Sequence, residues 1–315
     1  MATVWQVSAG PTKRRYSDVL LRHGVALIGP GNSGPWRPDR RDDEFDGSAI
    51  RRFVTDVRVG DPVVMRIGAS GIAAAGLFAG EYEHLPQFDD VYGWDLQHAR
   101  RVRWCPLPED YEFEAAVFGG MAARFSAVGG AEVLDYVERF LKSPPTGWQT
   151  AHLPPLPVLE PALSEPPAAI ADLVALAHDA YGLYGSEAHF GERPREDELI
   201  VHFVVPLLRA LGWPPERIAV KWRNADVTVF RALPRTPEHV HLLFEAKRLG
   251  DGIEFALDQA RRYLDMLGVM RDVIVTDGIR YRYYDAAKDF APVAYANLAN
   301  LKQSATQFFE RLRRP

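Results

Sequence analysis

The chain predicts an α+β protein of two domains, and three observations carry that prediction. A proline-dense stretch over residues 143–167 divides the sequence; short β-branched runs punctuated by glycine precede it, and helix, β-hairpin, helix and strand signals follow it. At 315 residues, each half is long enough to bury its own core. The expected organisation is a β-rich domain over 1–142, a semi-extended linker over 143–167 and a second domain over 168–315.

In the first domain, residues 4–7 and 25–28 are short strand signals, and Gly60-Asp61 is a turn into a strand over 62–67. The small, apolar run 72–79 reads as the next strand. Beyond Pro108 the pattern turns helical, with Val133, Tyr136, Val137, Phe140 and Leu141 spaced for one apolar face.

The second domain opens with helix signals over 168–184 and 195–211. In the latter, Leu199, Ile200, Phe203, Val204, Leu207 and Leu211 form a core-facing stripe, and Glu196, one turn before Ile200, falls on the same side. Glu198 lies nearer the His202 and Arg209 side and is the reserve choice for a helix carboxylate. Residues 227–230 and 240–244 are β-branched and aromatic, separated by Pro234-Arg235-Thr236-Pro237, which predicts a hairpin. Asp226 and Glu245 are symmetric about a point inside that turn, so antiparallel pairing sets the two carboxylates opposite each other. Period-two alternation projects Glu245 and Lys247 on one face, Phe244 and Ala246 on the other. A helix over 250–267 follows, with Gln259 and Tyr263 one turn apart. A strand over 273–276, an Asp277-Gly278 turn and a strand over 280–284 complete the pattern.

Two facing carboxylates repel and raise each other's pKa unless a cation sits between them. A hard divalent cation such as Mg²⁺ meets that need, because it takes oxygen ligands while keeping several waters. With an Asp at the head of one strand, Glu-x-Lys at the end of the next and an acidic residue on a preceding helix, the second half resembles the PD-(D/E)XK nuclease superfamily. Ala225 stands where a proline often precedes the Asp. The resemblance implies an α/β fold with a mixed central sheet, with Asp226 and Glu245 holding Mg²⁺ and Glu196 supporting it. It also implies that Lys247 orients the attacking water or stabilises the transition state. Gln259 with Tyr263 is similar to the Gln-x-x-x-Tyr addition of nuclease domains in type I restriction motor subunits and recombination nucleases, where it positions DNA or completes the site. Residues 205–213 and 275–278 resemble the type I domain too.

The first domain carries no recognisable catalytic set. Residues 4–7, Gly29-Pro30-Gly31 with Trp36, 60–64, 76–82 and 93–98 together resemble the EVE-like branch of the PUA superfamily. That resemblance implies a barrel with a pocket for a flipped modified base. Trp5, Trp36 and Trp94 are the candidate walls, Gln97 and His98 the candidate edge contacts. Basic stretches at 13–15 and 100–103 are candidate phosphate contacts, whereas 37–44 is mixed in sign.

Together these readings suggest a modification-dependent, type IV-like restriction endonuclease that cuts double-stranded DNA carrying modified cytosine and acts as a homodimer. The alternatives are a general or RNA-directed nuclease and a non-catalytic reader. A net charge of -5 is no help to DNA binding, so local patches would have to supply it. The single cysteine, Cys105, excludes an internal disulfide and reads as a buried, inert thiol. No run is apolar enough to span a bilayer and no signal pattern opens the chain, so a cytoplasmic location is expected. No Gly-x-x-x-x-Gly-Lys phosphate loop is present, so no ATP site is expected in this chain. His202 and His241 read as structural.

Overall fold

A computed structural model describes residues 2–11, 15–38, 48–118, 124–184 and 195–314. They form two compact units, Met1–Leu159 and Glu160–Pro315, each with its own six-stranded sheet. The architecture is α+β.

In the first unit, β1 (Trp5–Ser8), β2 (Val25–Ile28), β3 (Pro62–Ile67), β4 (Gly71–His84), β5 (His98–Glu112) and β6 (Phe125–Ala127) run in the order β2-β5-β4-β3-β1-β6. Only β1 and β3 pair in parallel. Register shifts between Ile72 and Ala74 and between Phe78 and Tyr82 bend the long β4–β5 pair, and the sheet curls into a half-barrel. Helices Ser17–His23, Ser48–Thr55 and Ala131–Lys142 complete the unit.

β5 runs through residues expected to leave the sheet at Pro108. Its arginines, read as phosphate contacts, are mostly fasteners. Arg100 is fully buried and donates to the carbonyls of Phe53, Val54 and Gly80, tying down the end of the helix Ser48–Thr55. Arg101 and Arg103 donate to the carbonyls of Pro154 and Ala151. A guanidinium with five donors is suited to such carbonyl binding.

The proline-rich stretch is divided between the units. Up to Leu159 it lies on the first, where Trp148 is buried and Leu156 packs on the core. From Glu160 it belongs to the second, with Leu163 N–H donating to Leu301 and Glu160 accepting from Ser304.

The second unit contains β7 (Ile218–Trp222), β8 (Ala225–Phe230), β9 (Val240–Ala246), β10 (Asp272–Thr276), β11 (Arg280–Asp285) and β12 (Ala291–Asn297) in the order β12-β11-β10-β9-β8-β7. The sheet is mixed, since β9 and β10 are parallel and the other neighbours antiparallel. Alternation assigns the faces. Leu242, Phe244 and Ala246 join one core with the helices Ala171–Tyr184, Val205–Ala210 and Ala305–Leu312. Leu243, Val273 and Val275 join a second core with the helix Ala256–Leu267. Glu245 shares the parity of Leu243, so it faces the latter helix.

The helix expected over 195–211 is interrupted. Glu196–Leu199 and Val205–Ala210 are α-helical, and Ile200–Val204 between them is a π turn. Pro206 has no N–H to give a carbonyl one turn back, which locates the irregularity just before it.

Candidate functional site

Residues 227–229 of β8 pair with 244–242 of β9, so each pair of numbers has the sum 471, as do 226 and 245. Asp226 and Glu245 are therefore cross-strand neighbours at the open end of the hairpin, as the symmetry about the turn requires. Both are withdrawn from solvent, Asp226 at 4% and Glu245 at 1% exposure.

Their hydrogen bonding differs. Asp226 Oδ2 accepts from the Ala246 backbone N–H at 2.7 Å, and Oδ1 accepts from Lys221 Nζ at 2.6 Å. Glu245 Oε1 accepts from Lys247 Nζ at 3.3 Å, but its Oε2 is buried with no hydrogen-bond partner. Burial, followed by the nearby Asp226 charge, pushes the Glu245 carboxyl up to about 7, against the opposing pull of Lys247.

Lys247 is held from the helix Ala256–Leu267. Its Nζ donates to Gln259 Oε1 at 3.1 Å, and Gln259 Nε2 donates to Tyr263 Oη at 2.8 Å. The one-turn spacing of Gln259 and Tyr263 thus becomes a relay that orients the ammonium beside Glu245. The strand end itself is pinned where Lys247 N–H donates to Thr276. Beyond it, the fully buried Arg280 binds Asp277 through Nε and Nη2 at 2.9 and 2.8 Å and reaches the Asp251 carbonyl, which fixes the loop after Lys247.

Of the two helix carboxylates, Glu198 caps its own helix by accepting the Arg195 N–H at 3.2 Å. Glu196 is half-buried and senses the site: burial raises its pKa, Lys247 lowers it and Asp226 raises it. Hydrogen bonds and register bring Asp226, Glu245, Lys247 and Gln259 together, and Glu196 is coupled to them through its charge.

Two residues in this cluster escaped sequence reasoning. Lys221 bridges Asp226 and Asp197, donating to Asp197 Oδ1 at 2.9 Å. Burial alone would lower the Lys221 ammonium pKa, yet its hydrogen bonds to the two carboxylates hold it well above the ordinary lysine range. The signal was available, because Lys221 and Asp226 are symmetric about Arg223-Asn224, the two-residue turn joining β7 to β8. Both turn residues have positive φ, 47° and 71°, as a type I′ hairpin requires.

Among the described residues, no three His, Cys, Asp or Glu side chains are grouped to hold a metal by themselves. The donor set nevertheless fits Mg²⁺, which retains several waters and takes one or two carboxylates. Asp226 and Glu245 supply hard oxygens, and Glu245 Oε2 is buried without a hydrogen-bond partner.

In the first unit, three expectations are corrected. Trp5 is core: it is 4% exposed, stacks on Phe125 at 5.0 Å and donates Nε1–H to Asp61. His98 is fully buried, with Nε2 at Pro30 O and Ser33 Oγ and Nδ1 at Tyr82 Oη; burial, with His84 beside it, pushes its pKa down to about 3. Gln97 is also buried, donating to Asp95 and Asn32. These groups stitch the glycine-containing loop at 29–34 to the segment 95–98, and neither His98 nor Gln97 presents an edge to a ligand. Trp36 and Trp94 are half-buried at the margin of the same core. Arg15 pairs with Asp110, whereas Lys13, Arg14 and residues 39–44 of the mixed-sign stretch lie outside the described residues.

A family described as "Domain of unknown function (DUF8426)" matches residues 5–121. No curated protein matches the chain. Among solved structures, the fragment of a putative HsdR subunit of a type I restriction enzyme from Vibrio vulnificus YJ016 is similar at 18% identity and a TM-score of 0.26. The likeness covers 38% of this chain and 25% of that one. No helix among the described residues is long and apolar enough to cross a membrane.

Proposed function

We propose that the second unit is a Mg²⁺-dependent nuclease of the PD-(D/E)XK kind that hydrolyses phosphodiester bonds in double-stranded DNA. The observation that carries this reading is the buried, unpartnered Oε2 of Glu245, set beside Asp226 and Lys247. A buried carboxylate with an empty acceptor position costs stability, and packing has no use for it. A ligand does.

Bound Mg²⁺ would supply charge neutralisation and an acidified water. Asp226 and Glu245 would hold the cation, with Glu196 supporting it from the helix. Lys247 stands one residue past Ala246, whose N–H fixes Asp226, so the strand that positions one ligand also aims the ammonium. Gln259 and Tyr263 restrict Lys247 to that direction, and it orients the attacking water or meets charge developing on the phosphate.

For the first unit, the proposed role is to read a modified base, cytosine in the simplest case. Support comes from Trp36 and Trp94, which are only partly buried at the margin of the core and could offer a ring on which a base stacks. One Asp226–Glu245 pair per chain cuts one strand, so a double-strand break calls for a homodimer or for sequential nicks. The whole would be a modification-dependent restriction endonuclease.

One duplex sequence prepared with unmodified, methylated, hydroxymethylated and glucosylated cytosine tests both roles, in Mg²⁺ or EDTA and with Lys247→Ala. Cutting of particular modified duplexes, lost in EDTA and in the variant, is the expected result. Equal cutting of all four would leave a general nuclease. Selective binding without cutting would leave a reader.

A further inference from the structure

Lys221 occupies an unusual place. It stands opposite Asp226 across the β7–β8 hairpin, with a left-handed backbone at φ 52°, a conformation unfavourable for a residue bearing a Cβ. Its ammonium lies 2.6 Å from Asp226 Oδ1 and 2.9 Å from Asp197 Oδ1. The first of these carboxylates is buried, at 6% side-chain exposure, and the second is open to water at 64%. Lys221 therefore spans from the interior of the candidate metal site to its rim. A second, independent observation points to a ligand here: Glu245 Oε2, on the strand paired with β8, is buried and unpartnered.

We propose that Lys221 is a built-in counter-ion that competes with the divalent cation for Asp226 and is displaced by it onto Asp197. This inference rests on the metal-dependent reading above. Asp226 Oδ2 accepts from the Ala246 N–H and Oδ1 accepts from Lys221 Nζ, so a cation approaching Oδ1 competes with the lysine. Asp226 and Glu245 would hold the cation, and its charge would repel the ammonium that now binds Asp226. Asp197 provides the landing place: it already binds Lys221, stands at the first turn of the helix Glu196–Leu199 and lies beside Glu196 in sequence. The lysine can then shift along one existing ion pair without losing both partners. Without metal it compensates a buried carboxylate whose isolation would be destabilising. With metal it becomes a surface cation at the rim.

Two substitutions have opposite expected effects, and Asp197→Asn made on top of Lys221→Met should add nothing, because Asp197 acts only through the lysine; independent charge effects would instead add, which would overturn the counter-ion. Lys221→Met removes the competitor, so Mg²⁺ and the non-catalytic probe Ca²⁺ should bind about five- to tenfold more tightly, the lower range of typical site couplings. Asp197→Asn removes the landing place, so the same cations should bind more weakly by a similar factor. The readout is the midpoint of cation-induced thermal stabilisation, followed without DNA. If Lys221→Met fails to fold, Asp197→Asn carries the test, because its side chain is largely exposed. Unchanged midpoints, or shifts in one direction for both variants, would overturn the counter-ion while leaving the metal site intact. Stabilisation of neither wild type nor variants by either cation would overturn both the counter-ion and the metal-dependent reading.

Discussion

Replacing Glu245 with glutamine should make the metal-free protein more stable while abolishing its activity. Glu245 is 1% exposed, and its carboxyl is raised from the ordinary 4.5 to about 7. A raised folded-state pKa means that folding favours the protonated form. The penalty is absent below about pH 4.5, grows between there and about pH 7, and is constant above. At about 1.4 kcal/mol per pH unit, that interval corresponds to about 3 kcal/mol. A carboxamide keeps the shape and an acceptor for Lys247 and carries no charge, although its own polar atoms must still be desolvated. A net gain of about 2 kcal/mol is therefore expected for Glu245→Gln at about pH 8, falling to about zero near pH 5. Urea unfolding in EDTA at both pH values measures it, with Mg²⁺ narrowing the gap by stabilising only the wild type. A destabilised variant at pH 8, or a gain independent of pH, would refute the view that Glu245 is held ionised at a cost.

Other substitutions separate positioning from packing. Gln259→Ala frees the Lys247 ammonium from its tether, and kcat should fall about ten- to a hundredfold with cation binding retained; loss of cation binding instead would place Gln259 in the metal site. Trp5→Ala removes a stacked core ring and should cost about 3–5 kcal/mol of stability, read by thermal denaturation. Trp36→Ala, at a half-buried ring, should leave most of the stability and weaken binding of the preferred modified duplex; equal binding would remove Trp36 from the pocket. Gly29→Ala would drive its Cβ into the Asp95 carbonyl, and about 1–3 kcal/mol should be lost in the same denaturation measurement.

The hairpin was legible because a register needs only a turn and two β-branched runs, and the carboxylate pairing then follows from symmetry. Alternation likewise separated Glu245 and Lys247 from Phe244 and Ala246, which the core bears out. The same logic applied to Arg223-Asn224 reveals Lys221, but that turn lacks glycine and proline and its first strand is only five residues long, so no strand signal stood out. Glu196 and Glu198 are two positions apart, which sets them about 200° apart around the helix, so the periodicity already favoured Glu196; the capping bond of Glu198 agrees with that choice. In the first unit, the residues that define β5 include arginines and prolines that read as surface or turn. Their placement depends on carbonyls at 53, 54, 151 and 154, far away in sequence. Trp5 and His98 were misplaced for a related reason: composition marks an aromatic or a histidine as useful, and only the folded sheet shows whether it faces solvent or core.

Nicking of supercoiled plasmid DNA by wild type, Asp226→Asn and Lys247→Ala across a Mg²⁺ titration addresses the central claim most directly, with Ca²⁺-induced thermal stabilisation recorded for each. Mg²⁺-dependent cleavage is expected from the wild type alone, with cation binding lost in Asp226→Asn and retained in Lys247→Ala. Cleavage that persists in Asp226→Asn and Lys247→Ala would contradict it.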